Sequence, residues 1–534
     1  MNTPRTRSAA GLSAAIIAAL LASTSPFAAL AQSAETEAAA AAVPGGIVLA
    51  PPPEDHGHAV PMAEGARPAA YDRSAFAPDP AYPDKPYAAA DQIAIYGGKT
   101  AVDGPRPLVE LGYPMYQEGD IGSGYTFLGE KNIVRPQLIV FGDWRTAVAY
   151  NDNGTKETAA LATRLNLEVD LRLTSTERIH ALFRPLDRRG TFSNYQFAGG
   201  DRVGDGLRLD GNVETLFFEG DLGAMLAGAT GSYNSLDMPI AAGKMPLLFQ
   251  NGVWMEDVVI GGAASILAMN SGTFDISNLD VTVFVAADDA TTPALKDQAG
   301  NFAQHAGHVF GATAFADMLE GYLEVGYGRV EDTRRSNATD FSYDNATIGF
   351  TRRYGGFLSN SVRLIVNTGQ DPGLNASQTA DGFVFLLENS LITSLPSTLV
   401  PYANFFWGND RPQSLLRDPG AGGVLKNTGI NFETDGLTGF PKLDDSANDT
   451  FGGALGVMYL FNLDQQIVAE VAALRPVGED NEPGRIAKGD QYAFGMRYQV
   501  PISDRWIVRL DGIVAERENE ESLAGAKLEF RWKF

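Results

Sequence analysis

Several segments of this chain alternate between apolar and polar residues, and this alternation limits the possible folds more than any other feature. In the segment 161–173, Leu or Val occupies every second position from Leu165 to Leu173, and charged or amide side chains fill the positions between them. Similar alternation recurs at 492–500, 506–514 and 527–534. Because successive side chains of a β-strand point to opposite faces, each segment has one apolar face and one charged or polar face.

Strands of this kind predict an all-β fold, a transmembrane antiparallel β-barrel with lipid outside and water inside. Alternation and strand direction indicate about 18 strands, with a range of 16 to 20, over residues 134–534, although 249–277 is too irregular to assign. Short turns are predicted at 174–177, 220–223, 317–319, 354–357, 462–464 and 502–504. The opposite strand ends meet longer polar stretches at 187–211, 288–306, 332–341, 370–379, 409–448 and 477–488. Outer-membrane barrels have this asymmetry.

Soluble β-helices and β-sandwiches also alternate. Their strands are shorter, about 5–6 residues, and a sandwich needs a second sheet to cover its apolar face. The aliphatic and aromatic faces at 492–500 and 528–534 favour the membrane barrel instead. Its mean hydropathy of −0.11 agrees, because half of every spanning strand is polar.

The first 133 residues predict export and a non-barrel extension. Arg5 and Arg7 precede a short apolar run, and the A-x-A pattern ending at Ala31 predicts signal-peptide cleavage there. Residues 32–90 are an Ala- and Pro-rich segment, which predicts a disordered linker. Residues 91–133 are expected to form either a periplasmic extension or a small plug.

Composition excludes several classes of function. The net charge of −24 leaves no basic excess for a nucleic-acid partner. Cys is absent, so disulfides and thiolate metal sites are excluded. The pair His56 and His58 lacks an evident third ligand, and no phosphate- or dinucleotide-binding motif occurs, so no metal site and no cofactor are predicted.

The sequence also contains no residue pattern that indicates a catalytic site. A barrel hydrolase needs a Ser nucleophile beside a His base. His180 lies on a predicted strand with many candidate Ser residues, and no spacing selects a partner. His305 and His308 flank a loop without a nucleophile motif, so no catalytic residue is predicted and the protein is not expected to be an enzyme.

The polar faces of the clearest strands predict the lining of a pore. The pore-lining candidates are Arg164, Glu168, Asp170, Arg172, Arg497, Arg505, Arg509, Asp511, Glu529 and Arg531. Together with Lys527 and Lys533, basic residues outnumber acidic ones on these faces, and barrel closure would place them on one wall. Acids concentrate instead in the 409–448 loop, namely Asp418, Glu433, Asp435, Asp444 and Asp445. A basic wall opposite an acidic loop would set a transverse field across the pore, or Arg–carboxylate pairs would simply brace the wall.

Residues 238–262 break the alternation. They include Glu256 and Asp257, which are the candidates for an inward-folded constriction, and the alternative is an irregular external loop. Arg184, Arg188 and Arg189 adjoin loop 187–211 and are expected to form a solvated or lipopolysaccharide-facing rim.

The signal peptide, the repeated hairpins and the ending Phe530-Arg531-Trp532-Lys533-Phe534 resemble those of bacterial outer-membrane porins. This resemblance implies that the barrel assembly machinery reads the C-terminal Phe534. The stretch 243–249 (GKMPLLF) is similar to one in phosphate-selective porins, but this chain is acidic and poor in Lys, which does not suit anion selectivity. The chain resembles polysaccharide-export barrels of similar strand number to the same degree.

We therefore expect a passive channel in the outer membrane for small hydrophilic solutes, preferentially for uptake. The alternative is a dedicated export or uptake barrel for a polysaccharide or charged substrate. Expected partners are outer-membrane lipid and lipopolysaccharide, the assembly machinery, the transported solutes and two further copies in a homotrimer.

Overall fold

The structure, a computed structural model, describes residues 107–113, 123–188, 191–199, 206–296, 301–335, 339–373, 377–396, 398–433, 436–461, 465–478 and 489–534. The predicted signal peptide, the linker 32–90 and the turn 462–464 lie outside the described residues.

The described residues form strands almost throughout, with one α-helix, α1 (Leu222–Thr230). The strands are β1 (Val109–Gly112), β2 (Gln137–Asp152), β3 (Glu157–Arg172), β4 (Arg178–Phe183), β5 (Asp187–Arg188), β6 (Thr191–Ala198), β7 (Val213–Asp221), β8 (Pro239–Phe249), β9 (Met255–Ser271), β10 (Ile276–Asp288), β11 (Gly307–Met318), β12 (Gly321–Asp332), β13 (Tyr343–Tyr354), β14 (Leu358–Thr368), β15 (Asp381–Leu391), β16 (Leu399–Arg411), β17 (Leu416–Arg417), β18 (Thr450–Phe461), β19 (Gln465–Pro476), β20 (Gln491–Pro501), β21 (Trp506–Arg517) and β22 (Leu523–Lys533).

The sheet closes on itself. Each long strand pairs antiparallel with its chain neighbours, and β22 pairs with β2 from Asp143↔Lys533 to Asp152↔Ala524. The third position around the barrel is shared by β4 and β6, which pair with the two halves of β3. This arrangement gives 18 positions around the barrel, which confirms the predicted closed antiparallel barrel and its strand number.

One predicted turn is wrong. The chain does not reverse within 220–223 but forms α1 before returning in β8. Asp221 caps this helix, because its carboxylate accepts a hydrogen bond from the Ala224 backbone N–H at 2.7 Å. Gly231 ends it with a φ of 67°, a left-handed conformation that favours glycine.

Residues 238–262 form a hairpin whose tip enters the barrel. They comprise β8, a 3₁₀ turn at Gln250–Gly252 and the first part of β9, so they are not an irregular external loop. The pairing of β8 with β9 runs from Ile240↔Ala264 to Phe249↔Met255, but β7 flanks β8 only as far as Lys244 and β10 flanks β9 only from Ile260 onward.

The tip 245–259 leaves the wall and folds inward, where the Trp254 indole donates to Asn345 on β13 at 2.7 Å and Gln250 accepts a hydrogen bond from the Thr347 hydroxyl at 2.9 Å. The role of this tip as a constriction stays a prediction.

The outer face of the barrel is apolar. In β22, Leu528 and Phe530 are 39% and 45% exposed, whereas Lys527 and Glu529 between them are 1% and 4% exposed. Leu510 on β21 is likewise exposed, on the same outward side. A belt of exposed apolar side chains around a closed sheet is suited to contact lipid chains.

No helix among the described residues has both the length and the apolar character needed to cross a bilayer.

The apolar core lies inside the barrel, because residues 412–433 and 436–449 fold into the lumen. We call the described residues of 412–449 the inward segment. Its Leu425 and Phe432 are fully buried, and the ring centroids of Phe432 and Phe406 on β16 are 5.9 Å apart. The predicted long polar loop at this position is therefore a packed internal element.

The described part of residues 91–133 contacts the end of the barrel at which short turns join the strands. We call this the turn end and the opposite end the loop end. β1 pairs with β2 from Val109↔Val140 to Gly112↔Gln137, beyond the point where β22 stops. Asn132 donates a side-chain hydrogen bond to Glu177 at 3.0 Å, in the turn after β3.

Candidate functional site: the barrel lumen

The inner wall formed by β20, β21, β22, β2 and β3 is densely charged. Asp511 is at its centre. Its carboxylate oxygens lie 2.7 Å from Arg497 Nε, 2.8 Å from Arg509 Nε and 3.2 Å from Lys527 Nζ. The Asp511 and Lys527 side chains are 5% and 1% exposed. Alternation within these strands places all four groups on the lumen side.

Two further carboxylates continue this wall towards β2. Glu529 accepts two hydrogen bonds from the Arg145 guanidinium, at 3.0 and 2.7 Å. Asp143 lies 2.9 Å from Arg531 Nε and accepts a hydrogen bond from Asn166 at 2.9 Å. The bidentate Arg145–Glu529 contact fixes the geometry of both groups.

On β3 the charged wall continues towards β4. Glu168 lies 2.8 Å from His180 Nε2, and Asp170 lies 3.4 Å from Arg178 Nη1. The guanidinium of Arg164 donates to Asn166 at 3.0 Å.

The pore-lining candidates thus occupy one continuous region with two exceptions at its edge. Arg505 lies in the turn between β20 and β21, where its carbonyl accepts a hydrogen bond from the Lys533 N–H. Arg172 is the last residue of β3 and is exposed at the turn end. Contact of any of these residues with a solute stays a prediction.

The opposite wall carries hydroxyl and amide side chains and fewer charges. Ser265 and Thr282 share a hydrogen bond of 2.8 Å, and Thr351 donates to Ser361 at 2.9 Å. Arg363, 3% exposed, lies 2.8 Å from Glu324. Basic side chains are therefore denser on one side of the lumen than on the other.

The inward segment is attached first to β9. β17 pairs in parallel with the start of β9, Leu416↔Met255 and Arg417↔Glu256. The Arg417 guanidinium is buried and lies 3.4 Å from Glu256, which also pairs with Lys426. The constriction candidate Glu256 therefore lies in the inward-folded hairpin tip 245–259 and holds the inward segment through two ion pairs.

Asp257, the other constriction candidate, is buried in β9. It accepts hydrogen bonds from the Thr291 backbone N–H at 2.7 Å and from the Thr291 hydroxyl at 2.8 Å. These bonds connect β9 with the loop that follows β10, which indicates a bracing role.

A second attachment is at Glu470 on β19, a side chain that is 1% exposed. Its carboxylate accepts hydrogen bonds from the backbone N–H groups of Ile430 and Asn431, both at 2.9 Å, and from the Tyr402 hydroxyl. At Gly429 a Cβ would lie 2.3 Å from the Glu470 carboxylate, so only glycine permits this close approach.

The third attachment is across the lumen, on β2 and β22. Asn151 donates a side-chain hydrogen bond to the Thr438 carbonyl at 2.8 Å. The Lys527 ammonium lies 5.4 Å from the centre of the Phe440 ring. The inward segment therefore spans the barrel from β9 to β22 and narrows its interior.

The acids of the inward segment have different contacts. Asp418 and Asp444 accept hydrogen bonds from nearby backbone N–H groups of the segment itself, and Asp445 pairs with Lys442. Glu433 instead reaches the charged wall, 2.7 Å from Arg497 and 3.7 Å from Arg509. Asp435 lies outside the described residues.

Two cavities beside the inward segment bear on permeation. The larger, about 660 Å³, extends from Glu256 in the hairpin tip, along the inward segment, to the turn-side half of the wall at Tyr402 and Gln466. The smaller, about 270 Å³, is lined by Arg145, Glu433, Gln499, Ile507, Arg509, Glu529, Arg531 and Lys533. Polar side chains contribute to the lining of both cavities, and Glu433 lines both.

A separate cluster of Asp288, Asp289 and His305 lies at the loop end of β10 and β11. His305 Nδ1 is 2.8 Å from Asp288, and this hydrogen bond raises the pKa of His305 above its ordinary value of 6.5. Lys244 lies 3.2 Å from Asp289. Ion pairs within the chain thus connect the side chains of this cluster.

Sequence reasoning missed the two groups that anchor the inward segment, Glu470 and Arg417. A signal existed for Glu470, since it is the one polar residue in the stretch 467–474, which is otherwise apolar on both faces. Continuous apolar runs such as 383–387 gave a related signal, because a strand that is apolar on both faces is covered on both. Arg417 lies in an irregular segment, and no pattern marks its burial.

Searches for similar proteins gave matches among solved structures only. No protein-family model matches the chain, and no curated protein matches it. Among solved structures, OccK3 (OpdO) of Pseudomonas aeruginosa is 10% identical, with a TM-score of 0.46 over 74% of this chain and 95% of that one. OccK2 (OpdF) of the same species is 9% identical, with a TM-score of 0.48 over 74% and 97% of the two chains. A BenF-like porin from Pseudomonas fluorescens Pf-5 is 10% identical, with a TM-score of 0.48 over 74% and 98%. The strand pairing of this chain is itself the basis for its barrel fold.

Proposed function

We propose that this protein is an outer-membrane channel for the passive diffusion of small hydrophilic solutes, with uptake as its main direction. The observation that supports this most is the cavity of about 660 Å³ that runs inside the barrel beside the inward segment and reaches the turn-side half of the wall. Water can occupy this space because its lining includes Glu256, Lys426 and Arg497.

The proposal assigns the pore lining to the charged wall and its neighbours. These residues are Arg164, Glu168, Asp170, Arg172, Arg497, Arg505, Arg509, Asp511, Glu529 and Arg531. It assigns no catalytic residue, metal or cofactor. His180, the main catalytic candidate, lies 2.8 Å from Glu168 and packs 5.4 Å from the Phe217 ring, contacts that suit a bracing role.

Export, assembly and partners belong to the same proposal. Residues 1–31 would direct export and be removed after Ala31, and Phe534 would be read by the barrel assembly machinery. Phe534 is the last residue after β22, and its backbone exchanges hydrogen bonds with Gly142 at 3.1 and 2.9 Å. The outer leaflet would supply lipopolysaccharide around the barrel, and a homotrimer is the proposed assembly.

The test is conductance of the purified full chain in a planar bilayer, with potassium chloride and no added substrate. The expected result is stepwise, ohmic current from single insertions, because the cavity beside the inward segment needs no ligand to open. A protein that inserts but stays closed contradicts the proposal. Closure that is relieved or modified by a polysaccharide would favour the alternative, a dedicated polysaccharide or charged-substrate barrel.

A further inference from the structure

Glu433 is an acid of the inward segment whose carboxylate pairs with two cations of the charged wall. Its carboxylate lies 2.7 Å from Arg497 Nη1 and 3.7 Å from Arg509 Nη2. The side chain is 38% exposed, whereas Asp511, which contacts the same two arginines, is 5% exposed. Asp511 is therefore a fixed part of the wall, and Glu433 is accessible from the lumen.

The wall beside Glu433 has more bases than acids. Its ion-paired bases are Arg145, Arg497, Arg509, Lys527 and Arg531, and its ion-paired acids are Asp143, Asp511 and Glu529. An unbalanced positive wall in a narrow, low-dielectric lumen would concentrate anions. Glu433 offsets part of this excess at the two arginines it touches.

Glu433 also lies where the two lumen cavities meet. The larger cavity includes Arg497 in its lining and the smaller includes Arg509, and both include Glu433. An ion that passes along this wall therefore comes close to the Glu433 carboxylate. A single charge at such a narrow point affects permeation more than a charge at an open rim.

We propose that Glu433 is the selectivity-determining residue of the channel, a tethered counter-ion that limits the attraction of anions by Arg497 and Arg509. The inference rests on the proposed channel function. The carboxylate occupies the position that a diffusing anion would otherwise take between the two guanidinium groups. With it in place the pore discriminates weakly between small anions and cations, and without it the pore prefers anions.

The experiment compares the reversal potential of the wild-type chain and Glu433→Gln in a potassium chloride gradient across a planar bilayer. Gln keeps the size of the side chain and removes its charge. We expect the ratio of chloride to potassium permeability to rise about fivefold or more, which corresponds to about 1 kcal/mol. Asp418→Asn is the matched control, because Asp418 is an exposed acid of the same segment that caps a turn. We expect this control to keep the wild-type ratio.

A second variant tests whether position as well as charge matters. Glu433→Asp keeps the charge and shortens its reach to Arg497, so its permeability ratio should fall between those of wild type and Glu433→Gln. Electrophoretic mobility of unheated samples confirms that each variant is a folded barrel before recording.

The outcomes separate this inference from the proposed function. If the wild-type chain conducts and Glu433→Gln keeps its reversal potential, the inference is wrong and the channel function stands. An equal shift in Asp418→Asn would also overturn the inference, since it would show that the total charge of the segment matters and not contact with Arg497 and Arg509. A wild-type chain that does not conduct contradicts the proposed function itself.

Discussion

Asp511 is the residue on which the charged wall depends most, because three cations converge on one buried carboxylate. Arg497, Arg509 and Lys527 all lie within 3.2 Å of it, and Lys527 is almost fully buried. A buried ion pair adds little net stability, but removal of one partner leaves the other charges without compensation.

We therefore expect Asp511→Asn to lower the free energy of unfolding by about 3–5 kcal/mol. The measurement is the midpoint of denaturant unfolding in detergent micelles. Asp237→Asn, at an exposed position of the loop after α1, is the control and should change the free energy by less than about 0.5 kcal/mol. Equal midpoints for the two variants would show that Arg497, Arg509 and Lys527 are solvated well enough to tolerate the loss.

At the scale of elements, the inward segment and the hairpin tip 245–259 together occupy part of the lumen. The inward segment has no long secondary structure of its own, and its position depends on side chains of the wall that satisfy its backbone groups. Glu470 satisfies the N–H groups of Ile430 and Asn431 in the middle of the segment. Buried backbone donors need such partners, so this carboxylate holds the segment in place.

Replacement of this anchor should loosen the segment without opening the barrel. We expect Glu470→Gln to weaken the attachment by about 1–3 kcal/mol, the usual cost of a lost buried acceptor. Because 1.4 kcal/mol is a factor of ten in an equilibrium, protease cleavage within 412–449 should become about tenfold faster or more. Single-channel current should become noisier in the same variant.

The matched control for this prediction is Glu388→Gln, since Glu388 lies on β15 and is also a partly buried wall acid. Its cleavage rate should equal that of the wild-type chain. If Glu470→Gln is cleaved no faster than this control, the attachments at Arg417 and Asn151 hold the segment without Glu470.

At the scale of the whole molecule, the barrel separates two environments, and the apolar belt determines its stability in lipid. Leu510 lies near the middle of β21 and faces outward, whereas Phe451 lies at the loop end of β18 and also faces outward. The cost of a charge on the lipid face falls with distance from the bilayer midplane.

We therefore expect Leu510→Arg to destabilise the barrel in lipid by about 2–4 kcal/mol and Phe451→Arg by about 0–1 kcal/mol. Unfolding equilibria of both variants in phospholipid vesicles measure this difference. The same substitutions should differ much less in a soluble protein, so equal costs at the two depths would contradict a membrane-spanning belt.

The sequence by itself determined the barrel, its strand number and the side of each strand that faces lipid. These features depend on local sequence, because successive side chains of a strand point to opposite faces. In a membrane-spanning strand one face contacts lipid and the other contacts water. The alternation at 161–173 and 527–534 already separated Leu528 and Phe530 from Lys527 and Glu529, and the structure places them outside and inside.

Only the tertiary structure decided what lies within the barrel. The stretch 409–448 was predicted as a long polar loop, yet Leu425 and Phe432 within it are buried, and both this segment and the hairpin tip 245–259 enter the lumen. Contacts such as Glu470 with Ile430, or Glu433 with Arg497, join groups from distant parts of the chain. Periodicity describes one strand and its immediate surroundings, whereas the packing of an irregular segment depends on shape and hydrogen-bond partners that exist only after the barrel has closed.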